Sequence, residues 1–212
     1  HGNTKLDLGN GQYLDAGVEN VLTFTREPFD TITPNTWFTL GEALNGEIST
    51  SNSLVGSFAN DFVGSGSFPV LLFNTQTLPP APAPAFGAVF TPNWQGGRGA
   101  ITWFKPGELP VGRVTAKNSL VGAFANDFVG GDHDENFLNG MLDLPSGNFV
   151  LTSPDYNSNA GAITFLNVSR GLPVGEINSG NSFVGAPGDR IGSRDLVSLG
   201  GDRVLIISPS AT

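Results

Sequence analysis

One thirteen-residue stretch occurs twice in this chain with a single difference, and this repetition constrains the fold more than any other feature. Residues 52–64 read NSLVGSFANDFVG and residues 118–130 read NSLVGAFANDFVG. A shorter version, NSFVGAPGDRIG, occupies residues 181–192. We call these stretches signatures 1, 2 and 3. Near-identity over this length indicates that one structural unit is repeated, which has to be recognised before any other prediction is made.

The signatures predict one domain made of repeats, with an incomplete unit at each end. Residues 1–51 resemble a second half-repeat, 52–117 and 118–180 are full repeats, and 181–212 resemble a first half-repeat. The two halves can close a ring within one molecule or pair head-to-tail between molecules, and the chain can also be a segment of a longer array. Because an ordinary closed propeller has at least about four blades, three repeats favour the filament over the ring.

Short apolar runs bounded by glycine turns recur along the chain, among them FPVLLF, AITWF, NFVLT and RVLII. A spacing of about 8–12 residues between such runs predicts an all-β fold with antiparallel strands. About four strands per repeat suggests propeller-blade-like sheets, with a β-sandwich or a β-solenoid as alternatives. The residues expected in the core of each repeat are Leu54, Val55, Phe62 and Val63, with their equivalents Leu120, Val121, Phe128 and Val129.

Composition excludes several classes of function. A net charge of −9 excludes nucleic-acid binding through a basic surface. No apolar run is long enough for a membrane-spanning helix, and the absence of cysteine removes thiolate metal sites and cysteine nucleophiles. The sequence has only two histidines, and no Ser-His-Asp set can be recognised in it. It also has no phosphate-binding loop motif. An enzyme would therefore depend on copper chelation by His1 and His133, which the repeats do not favour, and we predict no enzymatic activity.

Three acidic or amide side chains have the spacing of a calcium loop. Asp132, Asp134 and Asn136 follow the D-x-D-x-N pattern, in which alternate side chains converge on one cation. The glycine expected at the sixth position is Phe137, and the glutamate expected at the twelfth is Asp143. The sequence thus predicts a possible calcium site here, and the alternative is a solvated acidic turn.

Two further sets of residues recur at matching positions. Trp94 and Tyr156 fall on polar loops, where aromatic rings can stack on sugars or contact another subunit, so we predict a ligand-binding role for both. The alternative is that each ring covers its own sheet. Asp61, Asp127 and Asp189 share one position of the signature, and a short acceptor there is expected to cap the turn that leads into the next strand.

The order of these motifs carries a resemblance. N-S-L-V-G, N-D-x-V-G, L-x-x-G-N-x-V-x-x-S-P and A-G-A-I-T-F resemble the repeats of bacterial filamentous-haemagglutinin-like exported surface proteins, over residues 52–209 and weakly over 1–51. Phe183 to Pro187 is distantly similar to the FG-GAP blades of integrin-type propellers. The resemblance implies an exported adhesive or structural protein with propeller-like sheets.

Together these observations predict an extracellular or cell-surface structural protein. We expect a filament or surface-layer subunit that pairs strands head-to-tail with copies of itself, or a segment of a bacterial adhesin, because an incomplete sheet leaves an edge that needs a partner strand. The alternative is a calcium-supported β-propeller that recognises cell-surface glycans.

Overall fold

The computed structural model describes residues 5–9, 12–15, 35–39, 49–65, 70–73, 86–105, 108, 110–131, 140–193 and 196–207. These residues form short strands with two four-residue helical turns. The strands are β1 (Lys5–Gly9), β2 (Gln12–Asp15), β3 (Asn35–Thr39), β4 (Ser53–Val55), β5 (Val70–Phe73), β6 (Phe86–Thr91), β7 (Ala100–Phe104), β8 (Gly112–Arg113), β9 (Ser119–Val121), β10 (Met141–Asp143), β11 (Phe149–Ser153), β12 (Ala162–Leu166), β13 (Gly175–Glu176), β14 (Phe183–Val184), β15 (Val197–Ser198) and β16 (Val204–Leu205). The turns are α1 (Trp94–Gly97) and α2 (Tyr156–Asn159).

The strands form three sheets and one hairpin. Sheet 1 has the order β1-β2-β3-β4-β8, sheet 2 the order β5-β6-β7-β9-β13, and sheet 3 the order β10-β11-β12-β14, while β15 and β16 pair as a hairpin. The first four strands of each sheet are antiparallel, and β8 and β13 add in parallel. The prediction of an all-β protein built from repeated antiparallel sheets is confirmed. The described strands form neither a closed barrel nor a solenoid.

Sheet 2 is buried on both faces, which explains why its strands lack a polar face in the sequence. Every residue of β6 is buried. Phe86, Ala88 and Phe90 pack with residues of sheet 3, whereas Val89 packs with Leu54 of sheet 1. Because successive side chains of a strand point to opposite faces, both faces of β6 are buried, and all its residues except Thr91 are apolar or glycine.

The sheets interlock through the path of the chain. After β7 of sheet 2, the chain crosses to sheet 1, where β8 pairs with β4, and then returns to sheet 2 as β9. The same excursion recurs one repeat later, when β13 leaves sheet 3 to pair with β9 before β14 returns. The strand from each signature is thus the fourth strand of its sheet, and in sheets 1 and 2 a two-residue strand that precedes the following signature completes the sheet.

Most of the predicted core is correct. Leu54, Val55 and Val63 are buried, and so are their equivalents in signature 2. The prediction for Phe62 and Phe128 is wrong, because both are only half-buried and have a left-handed φ of 45°. This conformation takes them out of the strand, and the ring of Phe128 lies over the backbone of α1, 2.9 Å from the position that a Cβ on Gly97 would occupy.

Candidate functional site: the joint that closes each signature

The loop of each signature follows one backbone path that requires residues tolerant of positive φ. The first left-handed position holds Asn60, Asn126 or Gly188, and asparagine and glycine adopt this conformation at the lowest cost. Left-handed residues then recur two and four positions later in all three copies, at Phe62, Phe128 and Arg190 and at Gly64, Gly130 and Gly192. The loop therefore has one shape, with the recurring aspartate at its centre.

The aspartate caps its own loop and also binds the helical turn that follows it in the chain. In signature 2, Oδ2 of Asp127 accepts hydrogen bonds from the N–H groups of Ala123 and Phe124, each at 2.8 Å. Its Oδ1 accepts a third, at 2.7 Å, from the N–H of Asn157 in α2. The predicted capping role is confirmed for this residue, but no sequence pattern indicated the bond to a residue thirty positions away.

Signature 1 repeats this arrangement. Oδ2 of Asp61 accepts from the N–H groups of Ser57 and Phe58 at 2.7 and 2.8 Å. Oδ1 of Asp61 accepts from the N–H of Gln95 in α1 at 2.8 Å. Two copies with the same three contacts show that the bond to the helical turn is part of the design of the repeat.

Burial and hydrogen bonding act in opposite directions on the second aspartate. Burial raises the pKa of Asp127 above its ordinary value of 3.8. The N–H groups of Phe124, Asn157 and Ala123 and the Arg98 guanidinium lower this pKa, but by less than burial raises it. Keeping the Asp127 carboxylate ionised in this buried position therefore costs free energy. Its hydrogen bonds and the nearby Arg98 guanidinium offset that cost only in part.

Each helical turn also accepts hydrogen bonds from the signature that follows it. The carbonyls of Gly97, Arg98 and Gly99 accept from the N–H groups of Phe128, Val129 and Gly122 at 2.8, 3.2 and 3.1 Å. The carbonyls of Asn159, Ala160 and Gly161 accept in the same way from Arg190, Ile191 and Gly185 at 2.8, 3.1 and 3.1 Å. A turn thus donates to one signature and accepts from the next, so that consecutive sheets are tied together.

The conformation of the turns explains two glycines. Gln95, Gly96 and Gly97 in α1 and Asn157, Ser158 and Asn159 in α2 all have positive φ, so neither turn is a regular right-handed helix. At Gly99, a Cβ would lie 2.2 Å from the amide nitrogen of Val129. At Gly161, it would lie 2.2 Å from the carbonyl oxygen of Ile191. The glycine of the GAIT motif is required because two backbones meet there.

The parallel strand closes the signature from the other side. We call residues 112–114 and 175–177 the closing segments. The N–H of Val114 donates to the carbonyl of Val55, and the N–H of Ile177 donates to the carbonyl of Val121, both at 3.0 Å. Val114 and Ile177 are themselves buried. A closing segment therefore supplies both backbone hydrogen bonds and an apolar side chain.

The two aromatic residues predicted to bind a ligand belong to these joints. Trp94 and Tyr156 are 3% and 5% exposed. The Trp94 indole N–H donates to the carbonyl of Val114 at 3.2 Å, and the Tyr156 hydroxyl donates to that of Ile177 at 2.7 Å. The expectation that these rings are displayed on loops is wrong, because each ring packs inside the joint. Neither presents the open face that stacking on a sugar needs.

The one difference between signatures 1 and 2 has a structural explanation. The hydroxyl of Ser57 donates to the carbonyl of Val114 at 2.7 Å, in addition to the indole of Trp94. In signature 2 the shorter bond from Tyr156 serves the equivalent carbonyl. The equivalent of Ser57 is Ala123, which packs against the core. The joint with Trp94 therefore has Ser57 as a second donor, whereas the joint with Tyr156 has Ala123 in the equivalent place.

Charged side chains fasten each joint differently. In the first joint, Nη1 of Arg113 donates to the carbonyl of Gly56 at 3.0 Å. In the second, Glu176 stands at the position of Arg113, and the equivalent carbonyl, that of Gly122, accepts from Nε and Nη2 of Arg98 at 2.9 and 2.6 Å. Arg98 also forms an ion pair with Glu176 at 2.6 Å. The arginine thus comes from a different position in each joint, but it binds the equivalent carbonyl.

Signature 3 has the same loop, but the described residues supply no closing contacts for it. Phe183 stands at the position of Leu54 and Leu120, which are 0% exposed, yet Phe183 is 61% exposed. Oδ2 of Asp189 accepts from the N–H of Ala186 at 2.8 Å, as in the other loops. Among the described residues, no strand pairs with the second edge of β14. This signature is therefore open on the side where the other two are closed.

The predicted calcium loop, Asp132, Asp134 and Asn136, lies outside the described residues. Within the part of the chain that the structure describes, no group of three or more His, Cys, Asp or Glu side chains is placed to hold a metal ion. No helix in that part is long and apolar enough to span a membrane.

Comparison with known proteins identifies the repeat. A family model described as a repeat of unknown function (DUF5650) matches residues 34–65, 88–131 and 143–193, more than half of the chain. Each matched segment ends just after a signature, as each sheet does. No curated protein and no solved structure matches the chain. These comparisons give no support for the resemblance to filamentous-haemagglutinin-like repeats or to FG-GAP blades.

Proposed function

Because the chain belongs to the family of the repeat of unknown function DUF5650, we propose that it is a structural protein whose copies assemble head-to-tail through signature joints. As an extracellular protein it would serve as a filament or surface-layer subunit, or as a segment of an adhesin. A chain without cysteine has no thiol to oxidise, which is compatible with such surroundings.

The observation that carries the proposal is an apolar surface at one end of the described repeats. We call it the forward face, and it comprises Phe165, Phe183, Val197, Leu199, Leu205 and Ile207. These side chains are 41–61% exposed. All six belong to sheet 3 or to the β15–β16 hairpin and the residues that follow its strands, and large exposed apolar surface is typical of an interaction site.

The equivalents of the forward face one repeat earlier are covered. Leu144 and Val150 stand at the positions of Leu199 and Leu205 and are each 4% exposed, because the β15–β16 hairpin packs over them. Trp103 stands at the position of Phe165, and its indole N–H donates to the carbonyl of Pro173 in the next repeat at 2.8 Å. The internal joints thus support the proposal that the forward face accepts another repeat of the same kind.

The size of the contact fits association between copies. Covering a large apolar side chain contributes about 1.5–3 kcal/mol when burial is complete. Six such side chains, about half exposed, therefore offer several kcal/mol before the entropy of association is subtracted. The net charge of −9 opposes this association at low ionic strength, and salt is expected to promote it by screening.

Sedimentation velocity over a wide range of protein concentration tests the proposal. We expect the average mass of the wild-type protein to rise with concentration. Phe183→Asp should shift the association to higher concentration, because a carboxylate would be buried in the joint. The matched control is Phe58→Asp, because the equivalent loop residues Phe58 and Phe124 stay 56% and 53% exposed even in closed joints. A constant monomer mass, or equal effects of the two substitutions, would contradict the proposal.

A further inference from the structure

The free edge of β14 has the form of a strand acceptor. In signatures 1 and 2 the equivalent edge binds a parallel strand, with Leu54 opposite Gly112 and Leu120 opposite Gly175. The β12 side of β14 is already paired, with Ala162 opposite Val184. A strand that fits this edge would therefore be short and parallel. It would be followed by an apolar residue whose N–H donates to the Val184 carbonyl.

The sequence requirements of a closing segment can be read from the two that are bound. The first residue, Gly112 or Gly175, has φ of 96° or 95°, although a Cβ there would meet no atom within 4 Å. Glycine is thus required for its backbone conformation and not for space. The second residue is charged and exposed, and the third is a buried Val or Ile.

The chain contains a third segment of this kind. Residues 46–48 read Gly-Glu-Ile, identical to 175–177 and at the same distance before a signature. The turn that joins each closing segment to its signature is also the same in three copies. Oδ1 of Asn52, Asn118 and Asn181 accepts from the N–H three residues earlier at 2.8, 2.9 and 2.9 Å.

Donors and acceptors are thereby offset by one joint. Segment 112–114 closes signature 1 and segment 175–177 closes signature 2. Among the described residues no strand closes signature 3, and segment 46–48, which lies outside the described residues, has the matching sequence. Phe183 of the forward face lies on β14 itself and is exposed, whereas its equivalents Leu54 and Leu120 are buried at the two internal joints.

We propose that residues 46–48 of a second copy add to β14 as a parallel strand, with Gly46 opposite Phe183 and Glu47 opposite Val184. The Ile48 N–H then donates to the Val184 carbonyl, and the Ile48 side chain covers Phe183. This inference rests on the proposed head-to-tail function and names the segment and register by which it occurs.

Disulfide trapping tests the register, because the natural chain has no cysteine. Directly opposed residues on adjacent strands lie about 5 Å apart, which is within the Cα separation that a disulfide spans. One preparation carries Glu47→Cys and another carries Val184→Cys, and they are mixed under mild oxidation. Thiols held in register are at millimolar effective concentration, so at micromolar protein we expect the mixed dimer on the order of a hundredfold faster than random collision allows.

Three controls make the result specific. Val121→Cys with Glu176→Cys in one chain reproduces the register of the internal joint and should form an intramolecular bond. Ser146→Cys replaces Val184→Cys as an exposed thiol in the β10–β11 turn, at the other edge of sheet 3, and should trap no dimer with Glu47→Cys above the random rate. The third control is the melting temperature of Val184→Cys, which should match that of the wild type if the trapped edge belongs to a folded signature 3.

The outcomes separate the inference from the function on which it rests. Fast trapping of the mixed dimer, absent with Ser146→Cys, supports the strand addition. If the wild-type mass rises with concentration but trapping stays at the random rate, copies associate by another contact and the inference is wrong. If no association occurs at all, both proposals fail. A double variant Glu47→Cys/Val184→Cys that crosslinks only within the monomer would show ring closure and overturn the inference.

Discussion

Replacing Asp127 with asparagine tests whether the signature aspartate holds consecutive repeats together. Its carboxylate is almost fully buried and accepts two hydrogen bonds from its own loop and one from Asn157. If the asparagine oxygen keeps the two loop bonds, its NH2 group must face the N–H of Asn157. One hydrogen bond to a charged acceptor is then lost and a buried donor is left without a partner.

The magnitude follows from these contacts. A hydrogen bond to a charged group contributes about 1.5–3 kcal/mol. Removing a charge whose burial raises its pKa recovers part of this loss. We therefore expect Asp127→Asn to lower the free energy of unfolding by about 2 kcal/mol. Asp189→Asn is the matched control, because the carboxylate of Asp189 caps only its own loop, and its effect should stay within about 0.5 kcal/mol.

Urea denaturation of dilute protein measures both variants. Tryptophan fluorescence reports on Trp94 and Trp103, which lie at the joints, and on Trp37 in β3. Circular dichroism reports on the sheets as a whole. Coincident transitions are required before a single free energy is assigned, because repeat arrays can lose cooperativity. An Asp127→Asn variant as stable as the wild type, or an Asp189→Asn variant equally destabilised, would refute the reasoning.

Three further predictions concern the same joint. Gly99→Ala should destabilise the protein by about 3 kcal/mol or more, because its Cβ would lie 2.2 Å from a backbone nitrogen, whereas Gly96→Ala, which has open space at φ 70°, should cost about 1–2 kcal/mol; urea titrations of the pair check this. Tyr156→Phe should cost about 1–2 kcal/mol in the same titration, because it removes the bond to a buried carbonyl, and an unchanged midpoint would argue against that bond. Burial raises the folded-state pKa of Asp127 above 3.8, so the folded protein keeps this proton to higher pH than the unfolded chain does. The unfolding free energy of the wild type minus that of Asp127→Asn should therefore fall as pH rises through 3.8 and above, and a rise would contradict the direction of the shift.

The sequence predicted those parts of the fold that depend on nearest neighbours. The alternation of apolar residues and glycines indicates strands, and Leu54 and Leu120 are buried as expected. Asp61 and Asp127 cap their loops through residues three and four positions away, which a local pattern can reveal.

The contacts between repeats could not be predicted in this way. Trp94 and Tyr156 stand on polar stretches and are buried only because a closing segment about twenty residues later packs over them. A closing strand of two residues is too short to give a periodic signal. The left-handed backbone of Phe62 and Phe128 could not be predicted either. Phenylalanine followed by valine normally indicates a strand.

Amide hydrogen exchange of the wild-type protein tests most directly whether a further repeat closes signature 3. The amide of Val121, at a closed edge, should be protected at every protein concentration. The amide of Val184, at the open edge, should exchange rapidly in dilute solution and become protected as concentration rises. Exchange at Val184 that does not change across the concentration range would contradict the account.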